Sequence, residues 1–196
     1  INFSDLNDSS TSLSSSSESG LLINNSLLSN KEISVHIDGM ERKCTVGKLI
    51  GNGGFGNVYD CELSPSEKRW ALKQAKERCG SFERECRIAL TMSEYKLGPE
   101  SYKVQIGDST GLVMEKVRPL NILINDLEEN RSEEKITLSL LSNLLDCQQK
   151  IMRLNYVDVD IKQGHFALTE GETIVRIDFG AMANLDSIKT EDIQTL

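Results

Sequence analysis

Ten residues constrain this chain more than any others: Ile50-Gly51-Asn52-Gly53-Gly54-Phe55-Gly56-Asn57-Val58-Tyr59. Gly51, Gly53 and Gly56 leave backbone N–H groups free to approach an anion without an intervening Cβ, and they permit the turns such a loop needs. Taken alone, the pattern suits either a lid over a nucleotide's phosphates or an ordinary glycine-rich hairpin. A dinucleotide-binding fingerprint would run from the glycines directly into a helix. Here Val58–Leu63, the turn-like Ser64-Pro65-Ser66-Glu67 and Arg69–Lys73 read instead as strand, turn, strand. A P-loop would need Lys-Ser or Lys-Thr after its last glycine, where Asn57-Val58 stand. The glycine loop therefore belongs to an antiparallel hairpin.

Gly51-x-Gly53-x-x-Gly56-x-Val58 followed by Ala71-Leu72-Lys73 resembles the small lobe of the protein kinases. That resemblance implies that Gly51, Gly53, Gly54, Gly56, Val58 and Ala71 belong to the ATP site, with Lys73 on the α- and β-phosphates. Phe82–Ile88 resembles the kinase αC helix, with Glu85 as the ion-pair partner of Lys73 and Glu83 as the other candidate. The interval of 85 − 73 = 12 residues is short for the family and implies a trimmed connection. Phe82, Ile88, Ala89, Met92 and Tyr95 fall near helical spacing, and Gly98-Pro99 ends the helix. Two strands, Tyr102–Ile106 and Gly111–Val117, follow around the turn Gly107-Asp108-Ser109-Thr110. The second resembles the strand leading to a kinase hinge. Met114 would then be the gatekeeper and the backbone of Glu115 to Val117 would meet the adenine, with Leu168 also among the cofactor-binding residues; a plain core role for Met114 is compatible with this.

Arg118-Pro119 leads into a helical portion. Ser132 can cap a long helix, from about Glu133 to Leu154, whose first turn carries Glu133 and Glu134 at the positive end of the macrodipole. Leu138, Leu141, Leu144, Leu145 and Met152 form one stripe, read as the face that builds the second lobe. The helix leads into Tyr156–Leu168, then a strand Thr173–Ile177 ending in Asp178-Phe179-Gly180. Phosphoryl transfer needs one carboxylate to receive or orient the attacking hydroxyl and a second to hold Mg²⁺ against the phosphates. Asp160 and Asp178 fit these roles, and their separation of 178 − 160 = 18 equals the family's common interval. Lys162 resembles the serine/threonine version of the loop.

Two departures qualify the resemblance. The family's histidine before the catalytic aspartate is Asp158 here, and the asparagine that holds a second Mg²⁺ is His165. Imidazole is a poorer ligand than an amide oxygen for hard Mg²⁺ and suits Mn²⁺ better. A shifted register would make Asp158 the base and Gln163 the amide ligand. It ranks lower because it misplaces Lys162 and the triplet Phe166-Ala167-Leu168. Beyond Asp178-Phe179-Gly180 only Ala181 to Leu196 remain, so the family's Ala-Pro-Glu segment and substrate-binding helices have no counterpart. The chain reads as either a fragment or a miniature kinase.

Residues 1–31 are rich in serine and asparagine without helical or strand period, which reads as a disordered tail and offers a secretion segment as the functional alternative. Residues 32–117 read as the small lobe, opening with a hairpin in which Ile33–Ile37 alternates, Asp38-Gly39 turns and Arg42–Val46 returns, His36 lying on the polar face. Residues 118–196 read as a reduced large lobe, giving a two-lobed α+β minimal kinase-like fold. With a formal charge of −8, neither nucleic acid nor an anionic membrane is expected as a partner. No apolar run approaches the ~20 residues of a membrane helix, and the chain begins at Ile1, leaving room for a segment ahead of it. Cys44, Cys61, Cys79, Cys86 and Cys147 are scattered and suit neither a zinc site nor a disulfide framework.

Size and missing parts resemble the minimal kinases that bacterial pathogens secrete into host cytoplasm, those of the HopBF type in particular. That narrower resemblance implies a constitutively active monomer, ATP with Mg²⁺ or Mn²⁺, and a protein substrate, for that type a host heat-shock chaperone of the ninety-kilodalton class. A catalytically impaired pseudokinase serving as a nucleotide-binding module is the competing reading, which altered Asp158 and His165 would mark. A plainly cytoplasmic kinase is the alternative to secretion.

Overall fold

The computed structural model describes residues 28–37, 39–53, 56–76, 80–129 and 134–187. The expectations placed on the tail before residue 28, on Asp38, Gly54, Phe55 and Cys79, and on Ser132 with Glu133 lie outside the described residues. Side chains of 126–129 and 134–137 are likewise outside them.

Strands β1 (Lys31–Ile37) and β2 (Met40–Asn52) form the first hairpin, with Ile37 opposite Met40 and Ile33 opposite Cys44. Alternation does the work: Val35, Ile37, Cys44 and Val46 are buried while His36 faces solvent. Gly39 adopts φ 76°, the left-handed conformation that a tight hairpin turn requires. β2 is one continuous strand serving both this hairpin and the glycine loop, with register irregularities between Val46 and Gly51 that leave Leu49 and Ile50 exposed. β3 (Gly56–Ser64), β4 (Trp70–Ala75), β5 (Ser101–Ile106) and β6 (Ser109–Glu115) complete an antiparallel six-stranded sheet in the order β1-β2-β3-β4-β6-β5.

The two faces of this sheet are used differently. One carries a cluster that includes Val35, Val46, Tyr59, Trp70, Leu72 and Val113, and the approach of edge strands β1 and β5 encloses it. The other receives helix α1 (Gly80–Glu94), which buries Phe82, Glu85, Cys86, Ile88, Ala89 and Met92. Tyr95, expected inside, is 54% exposed because the helix ends at Glu94. The reversal is made by Lys96 at φ 57°, ahead of Gly98, with Leu97 and Gly98 N–H both donating to the Met92 carbonyl. Gly98 is needed for packing: a Cβ there would stand 3.1 Å from the Phe179 ring.

Beyond β6 come the short β7 (Arg118–Pro119), α2 (Leu120–Glu129) and α3 (Glu134–Arg153). The stripe expected to build the second lobe faces the other way: Leu138, Leu141, Leu145 and Met152 are 68%, 50%, 62% and 58% exposed. The helix instead buries Cys147 and Ile151, with Leu140 and Leu144 half-buried beside them. This helix is apolar on two faces, so period alone does not say which turns inward. β8 (Tyr156–Asp158), β9 (Phe166–Leu168), β10 (Ile174–Arg176) and β11 (Met182–Asn184) then make two small sheets, β10-β9-β7 and β11-β8. The chain after Asp178-Phe179-Gly180 thus returns at once to pair with β8, the strand that precedes residues 159–165.

Among the described residues no helix is long and apolar enough to cross a membrane. Cys44, Cys61, Cys86 and Cys147 are free and buried. Burial pushes the Cys86 and Cys147 thiols up to about 12 and about 11, so packing, not reactivity, accounts for them.

Candidate active site

A cleft of about 470 Å³ opens between the six-stranded sheet and the elements that follow it. Its roof is Gly51, Gly53, Gly56 and Val58, its back wall Ala71, Lys73 and Met114, and its rim the backbone from Glu115 to Val117. Pro119, Ile122, Gly164, Ile177 and Asp178 form the floor. Leu168 departs from expectation: it is half-buried against the main core and is not among the cleft residues. β7 runs beside β9, with Arg118 opposite Leu168, and this brings Pro119 and the start of α2 over the floor in its stead. A larger open depression of about 670 Å³ runs along the turn between β3 and β4, but it gathers only a mixed set of surface side chains from Thr45 and 60–69.

The hairpin that forms the roof is closed by Gly53 N–H donating to the Gly56 carbonyl at 3.0 Å. Gly56 is glycine for a steric reason the sequence did not disclose: a Cβ there would lie 2.5 Å from the Gln74 carbonyl oxygen on β4. That close approach places the loop directly beside the strand bearing Lys73. Met114 is both a core residue, 7% exposed, and part of the cleft wall.

Lys73 Nζ donates to Glu85 Oε1 in a short, buried ion pair between β4 and α1. Burial pushes the Glu85 carboxyl up from its usual range, the Lys73 charge pulls it back down, and Asp178 adds to the upward push. The ammonium is what makes a buried carboxylate tenable here. Glu83, the other candidate, turns outward to Lys103 Nζ at 2.5 Å and the Thr110 hydroxyl at 2.7 Å. Glu85, not Glu83, therefore stands at the helical position facing the sheet. Residues 77–79, between β4 and α1, are outside the described set.

On the opposite wall, Asp178 Oδ1 accepts from Gly180 N–H at 3.0 Å, while Oδ2 lies 3.7 Å from His165 Nε2. Phe179 is buried in the main core, and Arg84 on α1 donates to the Gly180 carbonyl at 3.2 Å. These contacts lock the Asp-Phe-Gly segment to the helix that carries Glu85. Asp160 is paired with the exposed Lys162 at 2.8 Å, and that hydrogen bond holds its carboxyl below the usual carboxylate range. Gln163–His165 form a 3₁₀ turn that carries His165 back under the loop.

Asp158 is closed to solvent. One carboxylate oxygen accepts from Asp160 N–H at 3.0 Å, and the other lies 2.6 Å from Nη1 of the fully buried Arg176. That second contact is charge pairing off the N–H direction, not an aligned hydrogen bond, which is why both atoms remain without a hydrogen-bond partner. A carboxylate so enclosed cannot reach a substrate hydroxyl, so the shifted register that made Asp158 the base has no geometry to support it.

Arg176 is the residue that sequence reasoning missed. Its Nε donates to the Asp178 carbonyl at 2.6 Å, and Nη2 lies 3.3 Å from the Asp160 carbonyl and 3.1 Å from His165 Nδ1. Burial lowers its pKa, and Asp158, Asp178 and Asp160 oppose that shift; the guanidinium stays charged. A charged residue inside the strand before Asp-Phe-Gly was the one available signal.

No protein-family model matches the chain, and no curated protein does. Comparison with solved structures shows a protein-kinase-like fold, mixed α+β with an antiparallel small lobe and few helices. A crystal structure of the BubR1 kinase domain is similar over 83% of this chain at 22% identity and a TM-score of 0.65. The chain spans 53% of that domain's length.

Proposed function

We propose that the protein is an ATP-dependent protein kinase. The observation that carries this reading is the cleft itself: Lys73, held by buried Glu85, on one wall and the Asp178 carboxylate on the other, beneath a glycine hairpin. Lys73 would hold the α- and β-phosphates as a fixed cation, and the cleft walls would exclude water from the transfer. The acceptor hydroxyl, oriented by Asp160, attacks the γ-phosphorus. A new P–O ester bond forms, the bond from phosphorus to the β–γ bridging oxygen breaks, and the hydroxyl proton passes to the Asp160 carboxylate while ADP leaves.

The donor set suits a divalent cation held chiefly by phosphate. A metal of that kind keeps only one or two protein ligands. Asp178 would hold it. His165 keeps an Nε2 lone pair on the Asp178 side only in the tautomer whose Nδ1–H donates to the Asp160 carbonyl 2.9 Å away, a tautomer in which Nδ1 does not also accept from Arg176 Nη2. A nitrogen ligand there favours Mn²⁺ relative to Mg²⁺. The cation supplies neutralisation of charge developing on the phosphates.

Finer parts of the proposal rest on the resemblance. Lys162 beside Asp160 supports a serine or threonine acceptor, and the narrower reading proposed is a monomeric effector of the HopBF type, delivered by a bacterium into host cytoplasm to act on a heat-shock chaperone. Incubation with γ-labelled ATP and a eukaryotic lysate, with Mg²⁺ and with Mn²⁺, tests both levels. A labelled protein band that disappears with Asp178→Ala supports the kinase, and a band at ninety kilodaltons supports the chaperone. Equal labelling by parent and variant would sink the assignment.

A further inference from the structure

Arg176 makes its contacts with the framework of the candidate site and none with the cleft: it is absent from the cleft lining and has no exposed surface. Its guanidinium reaches the Asp160 carbonyl and the His165 ring on the loop side and the Asp178 carbonyl on the metal side. Its backbone N–H donates to the Leu97 carbonyl at 2.8 Å, just past the helix that carries Glu85. The Phe166 ring lies 5.0 Å beneath its central carbon. Asp158 supplies the counter-charge while also accepting from Asp160 N–H. One rigid, permanently charged fork therefore spans the two segments whose carboxylates must cooperate.

Resting on the kinase reading above, we propose that Arg176 is a positioning residue, with Asp158 as its anchor, and that this pair sets the placement of Asp160 relative to Asp178. The altered residue at 158 is then half of a replacement device and not a mark of lost chemistry. Lysine could keep the charge but could not present Nε to the Asp178 carbonyl and Nη2 to the Asp160 carbonyl together. A purely structural ion pair would behave differently: well-packed apolar replacements often restore stability to such pairs, and activity would follow stability.

The test uses the full chain as Arg176→Lys and as the apolar pair Asp158→Leu/Arg176→Met, alongside the parent. Melting temperature, ATP affinity, and kcat with KM are measured for each. A displacement of about 1 Å costs on the order of 100-fold in rate. A fall in kcat of that order for Arg176→Lys, with KM for ATP within about threefold of the parent and melting unchanged, is expected. The apolar pair should melt like the parent and show the same loss. Parental kcat in either variant, or loss of kcat only in step with loss of fold, would overturn the proposal. A parent that transfers no phosphate with either metal contradicts the kinase reading, and the proposal that rests on it falls with it; an active parent with variants of parental kcat overturns the proposal alone.

Discussion

Two buried ion pairs flank the cleft and behave as different devices. Lys73–Glu85 joins a strand to a helix, and its cation also lines the cleft, so the pair orders a group that can touch phosphate. Asp158–Arg176 has no cleft surface at all, and its cation acts on backbone carbonyls and a ring. The first pair presents charge and the second places the segments that present it. A carboxylate and a cation of similar burial therefore contribute chemistry in one case and geometry in the other, according to which of them has an open side.

Breaking the enclosed pair should have the larger effect on stability. Asp158→Ala leaves a fully buried guanidinium without its counter-charge, which costs about 3–5 kcal/mol, a large share of a domain's stability. Thermal or urea denaturation should show it, and a loss below about 1 kcal/mol would mean that solvent or another group reaches Arg176. The open pair should show the reverse balance when both charges are removed together. Lys73→Met/Glu85→Leu leaves no unpaired buried charge and melting near that of the parent, while turnover falls on the order of 10²–10³-fold. Parallel measurement of melting and kcat separates the two pairs directly.

The open pair was legible in the sequence, and the enclosed one was not. Lys73 was reached through the kinase resemblance of the glycine hairpin and Ala71-Leu72-Lys73, and Glu85 through the resemblance of Phe82–Ile88 to the helix that pairs with that lysine. Arg176 gave no such signal, because a charge within a strand ordinarily marks a solvent-facing position, and all its side-chain polar partners but the Asp178 carbonyl lie 11 to 18 residues earlier in the chain. Asp158 looked like a defect because it stands where the resembling family carries a histidine. The orientation of α3 failed differently, since leucines on two faces satisfy the helical period equally well and only contact with β10 and β8 decides between them. α2 lay hidden in Leu120–Ile124, an apolar run that strand and helix share. Leu168 was misplaced because the insertion of Pro119 and α2 over the cleft floor is a tertiary event.

An exposed pair sharpens the contrast further. Lys162 holds the Asp160 carboxyl below the usual range by hydrogen bonding and charge, and both side chains are solvent-accessible. Rate requires the carboxylate, so lowering its pKa places the acid limb of kcat/KM at lower pH. Lys162→Met should raise that pKa and move the acid limb upward, toward the ordinary carboxylate range near about 4, with little change in melting. An unmoved limb would show that Asp160 does not govern it. The smallest effect is expected at the outward stripe of α3: Leu141→Gln should change stability by no more than about 0.5 kcal/mol, whereas Ile151→Ala, in the core, should cost about 2–5 kcal/mol. A large loss from Leu141→Gln would mean that the stripe is covered in the folded protein.

The most direct measurement is the rate of phosphate transfer from γ-labelled ATP to a protein acceptor by the parent and by Asp160→Asn, with ATP affinity measured on the same samples. Both proteins should bind ATP equally, and the variant should transfer about 10²–10⁴-fold more slowly. Equal transfer by the two, or binding without transfer by the parent in both Mg²⁺ and Mn²⁺, would contradict the assignment of this cleft as a kinase active site.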